Sequence, residues 1–501
     1  METLFKQILT ARVYDAAQRT PLDRAAILSA ETGCEVLLKR EDLQPTFAYK
    51  VRGACNKIAH LTDTERQAGV LCASAGNHAQ GVAFSARRFG LKARVVMPVT
   101  TPQIKIQSVK ALGAQVILHG ENYSDAADYC QQLLVREGGT FIHPFDDPLV
   151  IAGQGTIGHE IFMERPDMDA VFVPVGGGGL ISGVGCFLKT LRPGIRVVGV
   201  EPEDSDAMAQ SLAAGKKVRL EEVGLFADGV AVREVGEHTF RLARQVVDEI
   251  VRVSTDEICS AIKAIHADTR AIMEPAGALG VAGLRKWLET NPAQGKTLVA
   301  VNSGANMNFE RLQFVAERTL TGEHREALFA VSIPERPRAL RHLLEQAVGE
   351  HNITELHYRL SGREQAHIFM GVSVAGPQEV PLFKQRLAQH GYQAVDLTRN
   401  ELAKTHLRHM VGGHSPHAEG EVLYRFQFPE RPQALGRFLS VMGEDWNISL
   451  FHYRSHGGDF GRVLVGFEIP PADQDRFQEF LRQVNYHSVE ETRNEAYKLF
   501  L

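Results

Sequence analysis

The chain has 501 residues, more than one hydrophobic core usually holds, so its length predicts more than one domain. With 44% apolar and 23% charged residues and a formal net charge of −5, it has no polybasic tract, which excludes a nucleic-acid or anionic-membrane surface and favours small-molecule ligands. No stretch approaches the ~20 apolar residues that span a bilayer, and the six cysteines form no C-x-x-C pair, so we expect a cytoplasmic protein without a membrane span or a metal site.

Residues 1 to about 320 alternate short β-branched runs with longer helical patterns, which is typical of parallel strands joined by helical crossovers. Ligands of such sheets bind at the carboxyl ends of the strands, so we expect the chemistry in the loops that follow them. The clearest strands are predicted at 35–39, 70–73, 93–97, 115–118, 171–175, 197–200 and 298–301.

The first loop of interest is TFAYKVRGACNKI at 46–58, where Lys50 stands just before a helical pattern. A lysine that forms a Schiff base must be held beside a cofactor with its ammonium destabilised, whereas a surface lysine needs neither. Taken alone, this segment favours an ordinary solvated lysine, and the other motifs change that balance.

The strand at 70–73 runs into SAGNH at 74–78 and then into a helical pattern. Small residues before an exposed helix N-terminus leave backbone N–H groups free for an anion such as a substrate carboxylate. A capped helix start without any ligand explains the same pattern equally well.

The strand at 171–175 ends in four glycines, Gly176 to Gly179, before a further helical pattern. Glycines let backbone amides converge at a helix N-terminus, which is the geometry of a phosphate cradle. The run lacks the G-x-G-x-x-G spacing, but Glu201 at the end of the next strand would suit a ribose, so a dinucleotide site competes on this motif alone. A tight structural turn without a ligand explains the glycine run equally well.

The strand at 298–301 delivers Asn302-Ser303-Gly304 to the same edge. A serine hydroxyl against a pyridine nitrogen would leave that nitrogen unprotonated and so select the carbanion chemistry of a cofactor. By itself the segment reads more readily as a helix N-cap.

Beyond residue 320 the chain contains an internal repeat at an offset of 95 residues. SIPERPRAL at 332–340 recurs as QFPERPQAL at 427–435, and Asn352-Ile353, His357-Tyr358-Arg359 and Gly371 recur as Asn447-Ile448, His452-Tyr453-Arg454 and Gly466. Each unit reads strand, helix, strand, hairpin, strand, helix, and 411–420 reads as a linker. Two stacked copies could serve packing alone, but the retained polar residues favour a binding role.

Together these motifs, in this order, resemble the fold-type II pyridoxal-phosphate enzymes, and among them the biosynthetic threonine dehydratases. The resemblance also rests on TPLDRA at 20–25, LLKREDLQP at 37–45 and GQGTIGHEI at 153–161. It implies an α/β, two-lobed, tryptophan synthase β-like catalytic domain at 1–320, with a small lobe at about 50–150. Two C-terminal α+β modules of the ACT-like, ferredoxin-like type are implied at 325–400 and 421–495.

The resemblance also implies roles for single residues. It makes Lys50 the catalytic Schiff-base lysine, with Asn77 on the cofactor 3′ oxygen and Ser303 on the pyridine nitrogen. The cofactor phosphate is then held by Gly176, Gly177, Gly178, Gly179 and Leu180, and the substrate carboxylate by Ser74, Ala75, Gly76, Asn77 and His78.

Two residues beside the lysine depart from the family's S-F-K pattern. Tyr49 occupies the position where a phenylalanine usually lies over the cofactor ring, and Ala48 stands in place of the serine. These departures affect details of cofactor packing and substrate preference rather than the class of reaction.

The implied activity is the pyridoxal 5'-phosphate-dependent conversion of L-threonine to 2-oxobutanoate and ammonia, the first committed step of isoleucine biosynthesis. The tandem modules imply isoleucine as feedback inhibitor and valine as its antagonist in a homotetramer. The effector-site candidates are Asn352, Tyr358, Asn447 and Tyr453.

Other functions share much of this pattern. A β-replacement synthase, a serine dehydratase or a racemase would use the same lysine, asparagine and glycine loop. An amino-acid sensor without catalysis is the non-enzyme alternative. The paired C-terminal modules favour the threonine dehydratase.

Overall fold

In the computed structural model, the described residues are 1–334, 342–349, 351, 353–358, 365–409, 420–429, 438, 441, 446–454 and 460–500. The chain divides into two compact units, Met1–Asn308 and Phe309–Leu501. Within the described ranges, no helix is both long and apolar enough to cross a membrane.

The first unit alternates helices and strands as the sequence predicts, and every predicted strand is present with ends shifted by at most two residues. Its helices are α1 (Glu2–Leu9), α2 (Ala26–Thr32), α3 (Lys50–Ala59), α4 (Asp63–Ala68), α5 (Asn77–Arg88), α6 (Gln103–Ala111), α7 (Tyr123–Glu137), α8 (Pro148–Glu164), α9 (Gly179–Leu191), α10 (Ala207–Ala214), α11 (Glu237–Val246), α12 (Thr255–Thr269) and α13 (Pro275–Leu288). Its strands are β1 (Leu22–Arg24), β2 (Glu35–Arg40), β3 (Val70–Ala73), β4 (Ala93–Met97), β5 (Gln115–Leu118), β6 (Thr140–Phe141), β7 (Ala170–Pro174), β8 (Arg196–Pro202), β9 (Glu249–Val253) and β10 (Thr297–Asn302).

These strands form one sheet of order β1-β2-β10-β7-β8-β9 and another of order β5-β4-β3-β6. All pairs are parallel except β1 with β2. Strands such as β7 and β10 are buried along their whole length because helices cover both faces of the sheet. Because β7 and β10 are parallel, the loops that follow them lie at the same edge of the first sheet. The loop after β3 lies at the corresponding edge of the second sheet. Ligands of such sheets bind at these carboxyl edges.

The second unit begins with α14 (Arg311–Gly322) and continues through two copies of one module. Its other helices are α15 (Glu379–Gln389), α16 (Glu401–Thr405), α17 (Gln474–Val484) and α18 (Glu495–Phe500). Its strands are β11 (Glu326–Pro334), β12 (Ile353–Tyr358), β13 (Gln365–Ser373), β14 (Gln393–Asp396), β15 (Glu421–Pro429), β16 (Asn447–Arg454), β17 (Phe460–Glu468) and β18 (Ser488–Glu490).

Each module folds into an antiparallel sheet, with orders β12-β13-β11-β14 and β16-β17-β15-β18. With the strands of one module numbered along the chain, this order is 2-3-1-4, the ferredoxin-like arrangement. The short strand β14 and the helix α16 extend the first module beyond the sequence prediction, and β18 and α18 extend the second. The prediction ended each module with a helix, α15 or α17. A strand of four residues is too short to give a clear alternating pattern.

The repeat is as regular in three dimensions as in sequence. β11 and β15, β13 and β17, and the β-bulges at Ile353/Glu355 and Ile448/Leu450 all keep the offset of 95 residues. After β13 the offset becomes 94, because Phe383 and Tyr392 occupy the core positions that Phe477 and Tyr486 occupy in the second copy. The second copy is therefore one residue shorter before its helix.

The two modules pack through equivalent surfaces. Leu328 and its counterpart Leu423 lie in one buried cluster, together with Phe369 and its counterpart Leu464. The side chain of Asn400 donates from Nδ2 to Oδ1 of Asn494, its own counterpart, at 3.1 Å. Contacts between like residues are those of a pseudo-twofold arrangement.

The predicted effector residues fall on this repeat. Tyr358 is the last residue of β12, and Asn447 and Tyr453 belong to β16. Asn352 and most of the 411–420 linker lie outside the described residues.

Candidate active site

Lys50 is the first residue of α3, and the residues just before it pair with the loop that follows β10. Its half-buried ammonium nitrogen is 3.0 Å from the carbonyl oxygen of Pro144 and 5.4 Å from the ring centre of Tyr49. Burial lowers the pKa of Lys50 to about 8, against the opposing effect of the Glu274 carboxylate. A lysine of this kind has its charged form destabilised, as a nucleophilic or proton-accepting amine requires.

The glycine loop between β7 and α9 forms an anion cradle. Gly178 has a φ of 93°, and a Cβ on Gly177 would lie 2.3 Å from the ring of Phe145, so both positions require glycine. Among the described residues, none accepts a hydrogen bond from the backbone N–H groups of 176–180. Unused donors at a helix N-terminus are suited to a phosphate group.

The loop between β3 and α5 leaves a second set of donors unused. Ser74 Oγ accepts the N–H of Gly76 at 3.3 Å, while the N–H groups of Ala75, Asn77 and His78 have no acceptor among the described residues. This loop therefore offers a small anion site at the start of α5.

The imidazole of His78 has a separate role. Its Nε2 lies 2.8 Å from the carbonyl oxygen of Ile142. Burial, with a further contribution from Lys50, lowers the pKa of His78 to about 3, so the ring is neutral. His78 thus contributes a backbone donor to the site, and its side chain holds the loop in place.

Ser303 follows β10 and is buried, with its hydroxyl 3.3 Å from the carbonyl oxygen of Ala276. This hydrogen bond is at the weak end of the range, so a rotation of the hydroxyl can present it to another acceptor. The backbone joins this loop to the lysine loop, because the Tyr49 N–H donates to the Ser303 carbonyl at 3.1 Å and Ala48 pairs with Gly304. Lys50 and Ser303 are therefore held beside each other.

Two residues that the sequence analysis did not single out complete the site. The Asn77 amide donates from Nδ2 to Glu274 Oε1 at 2.6 Å, and its Oδ1 accepts from Asn306 Nδ2 at 2.7 Å. Glu274 is buried directly before Pro275, and a Glu-Pro pair reads in sequence as an ordinary helix start. The signal for Asn306 is its place three residues after Ser303.

Glu201 lies in the same sheet but is committed to the fold. Its two carboxylate oxygens accept the N–H groups of Met208 and Ala209 at 3.0 and 2.8 Å, at the start of α10. Burial raises the pKa of Glu201 to about 8. This residue therefore caps a helix and is not placed as the free acidic partner that a ribose would need.

The arrangement brings together the predicted lysine, both anion loops, Asn77 and Ser303. These are the groups needed to bind a phosphorylated pyridine aldehyde. The glycine loop fits the phosphate, the lysine fits an aldehyde carbon, and Ser303 and Asn77 fit ring substituents. The predicted effector residues belong to the second unit.

Comparisons with known proteins lead to the same cofactor. Residues 13–304 match the family of pyridoxal-phosphate-dependent enzymes, and residues 317–407 and 412–501 match the C-terminal regulatory domain of threonine dehydratase. The chain belongs to the threonine dehydratase family of pyridoxal-phosphate enzymes.

Individual relatives support this membership. The chain is 53% identical to the biosynthetic L-threonine dehydratase IlvA of Burkholderia multivorans, over 99% of this chain and 98% of that protein. The corresponding protein of Pasteurella multocida is 47% identical, over 99% and 97%. The solved structure of the processed form of threonine deaminase isoform 2 from Solanum lycopersicum is 45% identical, with a TM-score of 0.62 over 63% of this chain and 93% of that one.

These matches confirm several predictions from the sequence. The chain has the fold-type II architecture with a C-terminal regulatory region, it depends on pyridoxal phosphate, and it is a lyase of the threonine dehydratase family. The dinucleotide alternative for the glycine loop is thereby removed.

Proposed function

We propose that this chain converts L-threonine to 2-oxobutanoate and ammonia, with Lys50 as the residue that carries the cofactor and moves the Cα proton. The observation that carries the proposal is the partly buried Lys50 amine, with a pKa of about 8, in a unit whose glycine loop and 74–78 loop both contain unused backbone donors. It would catalyse the first committed step of isoleucine biosynthesis, as its relatives' description as biosynthetic suggests.

The cofactor contacts follow from the chemistry of each group. The N–H groups of Gly176, Gly177, Gly178, Gly179 and Leu180 would hold the phosphate, Asn77 the 3′ oxygen and Ser303 the pyridine nitrogen, with Tyr49 beside the lysine. When bound, pyridoxal phosphate supplies an electron sink for the carbanion that forms at Cα. A serine partner does not protonate the ring nitrogen, which favours elimination over transamination.

The loop at 74–78 would hold the substrate carboxylate through the free N–H groups of Ala75, Asn77 and His78, with Ser74 and Gly76 shaping the turn. The Lys50 amine would be placed to take the Cα proton of the bound substrate. Its pKa of about 8, below the ordinary 10.5, makes the unprotonated form far more accessible near neutral pH than in an ordinary lysine. His78 stays neutral throughout, so it adds no competing positive charge beside Lys50.

The test is an assay with threonine alone. Purified protein supplied with pyridoxal phosphate should form 2-oxobutanoate, and it should show a visible absorbance band that borohydride or Lys50→Ala removes. Turnover that appears only when a thiol or indole is added would instead indicate a β-replacement synthase. Conversion between L- and D-amino acids, read by chiral chromatography, would indicate a racemase, and no absorbance band would indicate a sensor.

We further propose that the C-terminal unit binds isoleucine as inhibitor and valine as antagonist. The match to a regulatory domain supports a control function, and the candidate positions are Asn352, Tyr358, Asn447 and Tyr453. Binding of each amino acid measured by calorimetry, with Tyr358→Ala and Tyr453→Ala as variants, tests this. Because coupling is reciprocal, threonine must change the isoleucine affinity by the factor by which isoleucine changes the threonine affinity.

The proposal includes a catalytic domain at 1–320 with a small lobe at about 50–150, modules at 325–400 and 421–495, and a linker at 411–420. It also includes a homotetramer in the cytoplasm. Light scattering of the full chain at several concentrations tests the assembly, and a stable monomer or dimer would contradict it.

A further inference from the structure

Thr46, Asn306, Asn77 and Glu274 form a continuous row of hydrogen bonds. Nδ2 of Asn306 donates to the carbonyl oxygen of Thr46 at 2.9 Å and to Oδ1 of Asn77 at 2.7 Å. Nδ2 of Asn77 in turn donates to Oε1 of Glu274 at 2.6 Å. The row therefore runs in one direction, from the amide of Asn306 to the carboxylate of Glu274.

The chemistry of the Thr46 end fixes this direction. The carbonyl of Thr46 can only accept, so the group of Asn306 that faces it must be the NH2 end. The same NH2 group faces Asn77, so Asn77 must meet it with Oδ1 and turn its own NH2 end to Oε1 of Glu274. Reversing the Asn77 amide would place two oxygens against each other at Glu274 and two NH2 groups at Asn306.

This orientation leaves one donor hydrogen of the Asn77 amide unused. The Asn77 NH2 has two hydrogens, and among the described residues the second has no acceptor. A phenolic oxygen on the cofactor ring needs such a donor, whereas the Oδ1 end of the same amide would repel it. The side that Asn77 turns to the ring thus decides whether it helps or hinders cofactor binding.

We propose that Asn306 is a positioning residue that keeps the NH2 end of Asn77 directed at the 3′ oxygen of the cofactor. The inference rests on the proposed role of Asn77 as the partner of that oxygen. This role requires no contact between Asn306 and the cofactor. Asn306 acts by fixing one of two orientations of a neighbouring amide.

The loop that carries Asn306 is well placed to hold it. Residues 303–305 pair with 47–49, through Tyr49 N–H to Ser303 O at 3.1 Å and Ala305 N–H to Phe47 O at 2.8 Å. Phe47 has a φ of 55°, unusual for a residue with a side chain, so the lysine loop is held in a defined bent conformation. The contact from Asn306 to Thr46 extends this pairing by one step, and the bond to Asn77 carries it over to α5, which follows β3 of the other sheet.

The experiment compares removing the Asn306 donor with replacing it by an acceptor. In Asn306→Ala the amide of Asn77 loses one anchor, while in Asn306→Asp an acceptor takes the place of the donor and favours the reversed orientation. Each variant is combined with Asn77→Ala. The control is Asn291→Asp, because Asn291 Nδ2 also donates to a carbonyl (Trp287, 3.0 Å) and to a second oxygen (Thr290 Oγ1, 3.0 Å), beyond the far end of α13 from Glu274.

Three quantities are measured on each protein: the ratio of visible to near-ultraviolet absorbance of the cofactor-loaded enzyme as a function of pH, the apparent dissociation constant for pyridoxal phosphate, and the thermal unfolding midpoint without cofactor. We expect Asn306→Asp to shift the pH profile by about one unit or more and to weaken cofactor binding about tenfold, in the same direction as Asn77→Ala. Asn306→Ala should lie between Asn306→Asp and the unmodified protein. Asn291→Asp should leave both cofactor measurements unchanged.

The decisive result is the combination. If Asn306 acts through Asn77, Asn306→Asp should change neither the spectrum nor the affinity further once Asn77 is alanine. Effects that add in the double variant, or an unchanged spectrum in Asn306→Asp with a lowered unfolding midpoint, would show a merely structural role and overturn the proposal. Absence of the visible band from the unmodified protein would contradict the proposed cofactor site itself, which is a different outcome.

Discussion

The two units of the chain use their buried polar groups in different ways. In the catalytic unit, Lys50, the second amide hydrogen of Asn77 and the backbone donors of two loops have capacity left over within the described structure. In the C-terminal unit, buried Glu326 is bonded to Thr321 and Arg408, and buried Arg318 to Thr405 and Glu401. Unused donors mark a place for a ligand, and satisfied networks mark the framework.

The catalytic unit also contains a satisfied network of its own, and the contrast lies within a few residues of α3. Arg52, two residues after Lys50, is fully buried and pairs with Glu41 at 2.7 Å and with Glu160 at 2.6 Å. Lys39 reaches Glu160 at 2.7 Å. One helix therefore begins with a lysine of lowered pKa and is then anchored by a closed ionic cluster.

The largest expected effect is on Lys50. Lys50→Ala should reduce 2-oxobutanoate formation by at least about 10⁴-fold, because the proposed proton acceptor and cofactor anchor are lost together. Its thermal unfolding midpoint without cofactor should not fall, since burial disfavours the charged amine. The control is Lys57→Ala, on the same helix as Lys50. It removes a partly buried pair with Asp147, the N-cap residue of α8, and should retain activity. Strong unfolding of Lys50→Ala would erase the contrast with Arg52.

Breaking the ionic cluster around Arg52 should lower the stability of the catalytic unit, in contrast to Lys50→Ala. Arg52→Met should destabilise the catalytic unit by about 3–5 kcal/mol, because it leaves buried Glu41 without its cationic partner and buried Glu160 with Lys39 alone. Chemical denaturation followed by circular dichroism measures this. Arg136→Met removes an exposed pair with Glu137 and should leave the midpoint where it is. A similar, small effect in both variants would mean that the buried cluster contributes little.

The pseudo-twofold contact between the modules can be tested at equivalent positions. Leu328→Ala and Leu423→Ala should each destabilise the C-terminal unit by about 2–5 kcal/mol, since both side chains lie in the shared cluster. Unfolding measured by hydrogen exchange should show the loss on both sides of the contact. Leu382→Ala, at a position 61% exposed, should change little. A loss confined to the mutated module would show that the two copies do not stabilise each other.

The smallest expected effect is on pH dependence. In the cofactor-free protein the pKa of Lys50 is about 8, below its ordinary value of 10.5, so between these values the unfolded chain binds more protons than the native one. Stability should therefore rise with pH across this window, and the rise should be weaker in Lys50→Met. Equal slopes in the two proteins, from denaturation at several pH values, would show that Lys50 is not desolvated.

Much of the site could be predicted from the sequence because its parts are local. The glycine run, the SAGNH loop and the residues around Lys50 each follow a strand or begin a helix, and the structure places each of them there. The offset of 95 residues likewise predicted two copies of one module, and the structure has β11 and β15, and β13 and β17, at that offset. Glu274 and Asn306 could not be found in this way, since what places them in the site is a contact with Asn77, about 200 residues away along the chain.

The sequence by itself determined the element pattern and the repeat, because strand and helix periodicity are written in neighbouring residues. Its motifs also resemble a known enzyme family, and that resemblance implied the cofactor. Only the tertiary structure decided that Glu201 caps a helix, that the His78 ring is neutral, and that Asn306 and Glu274 form hydrogen bonds with Asn77. The physical reason is that hydrogen-bond partners and burial, which set orientation and pKa, come from segments that meet only when the sheets are assembled.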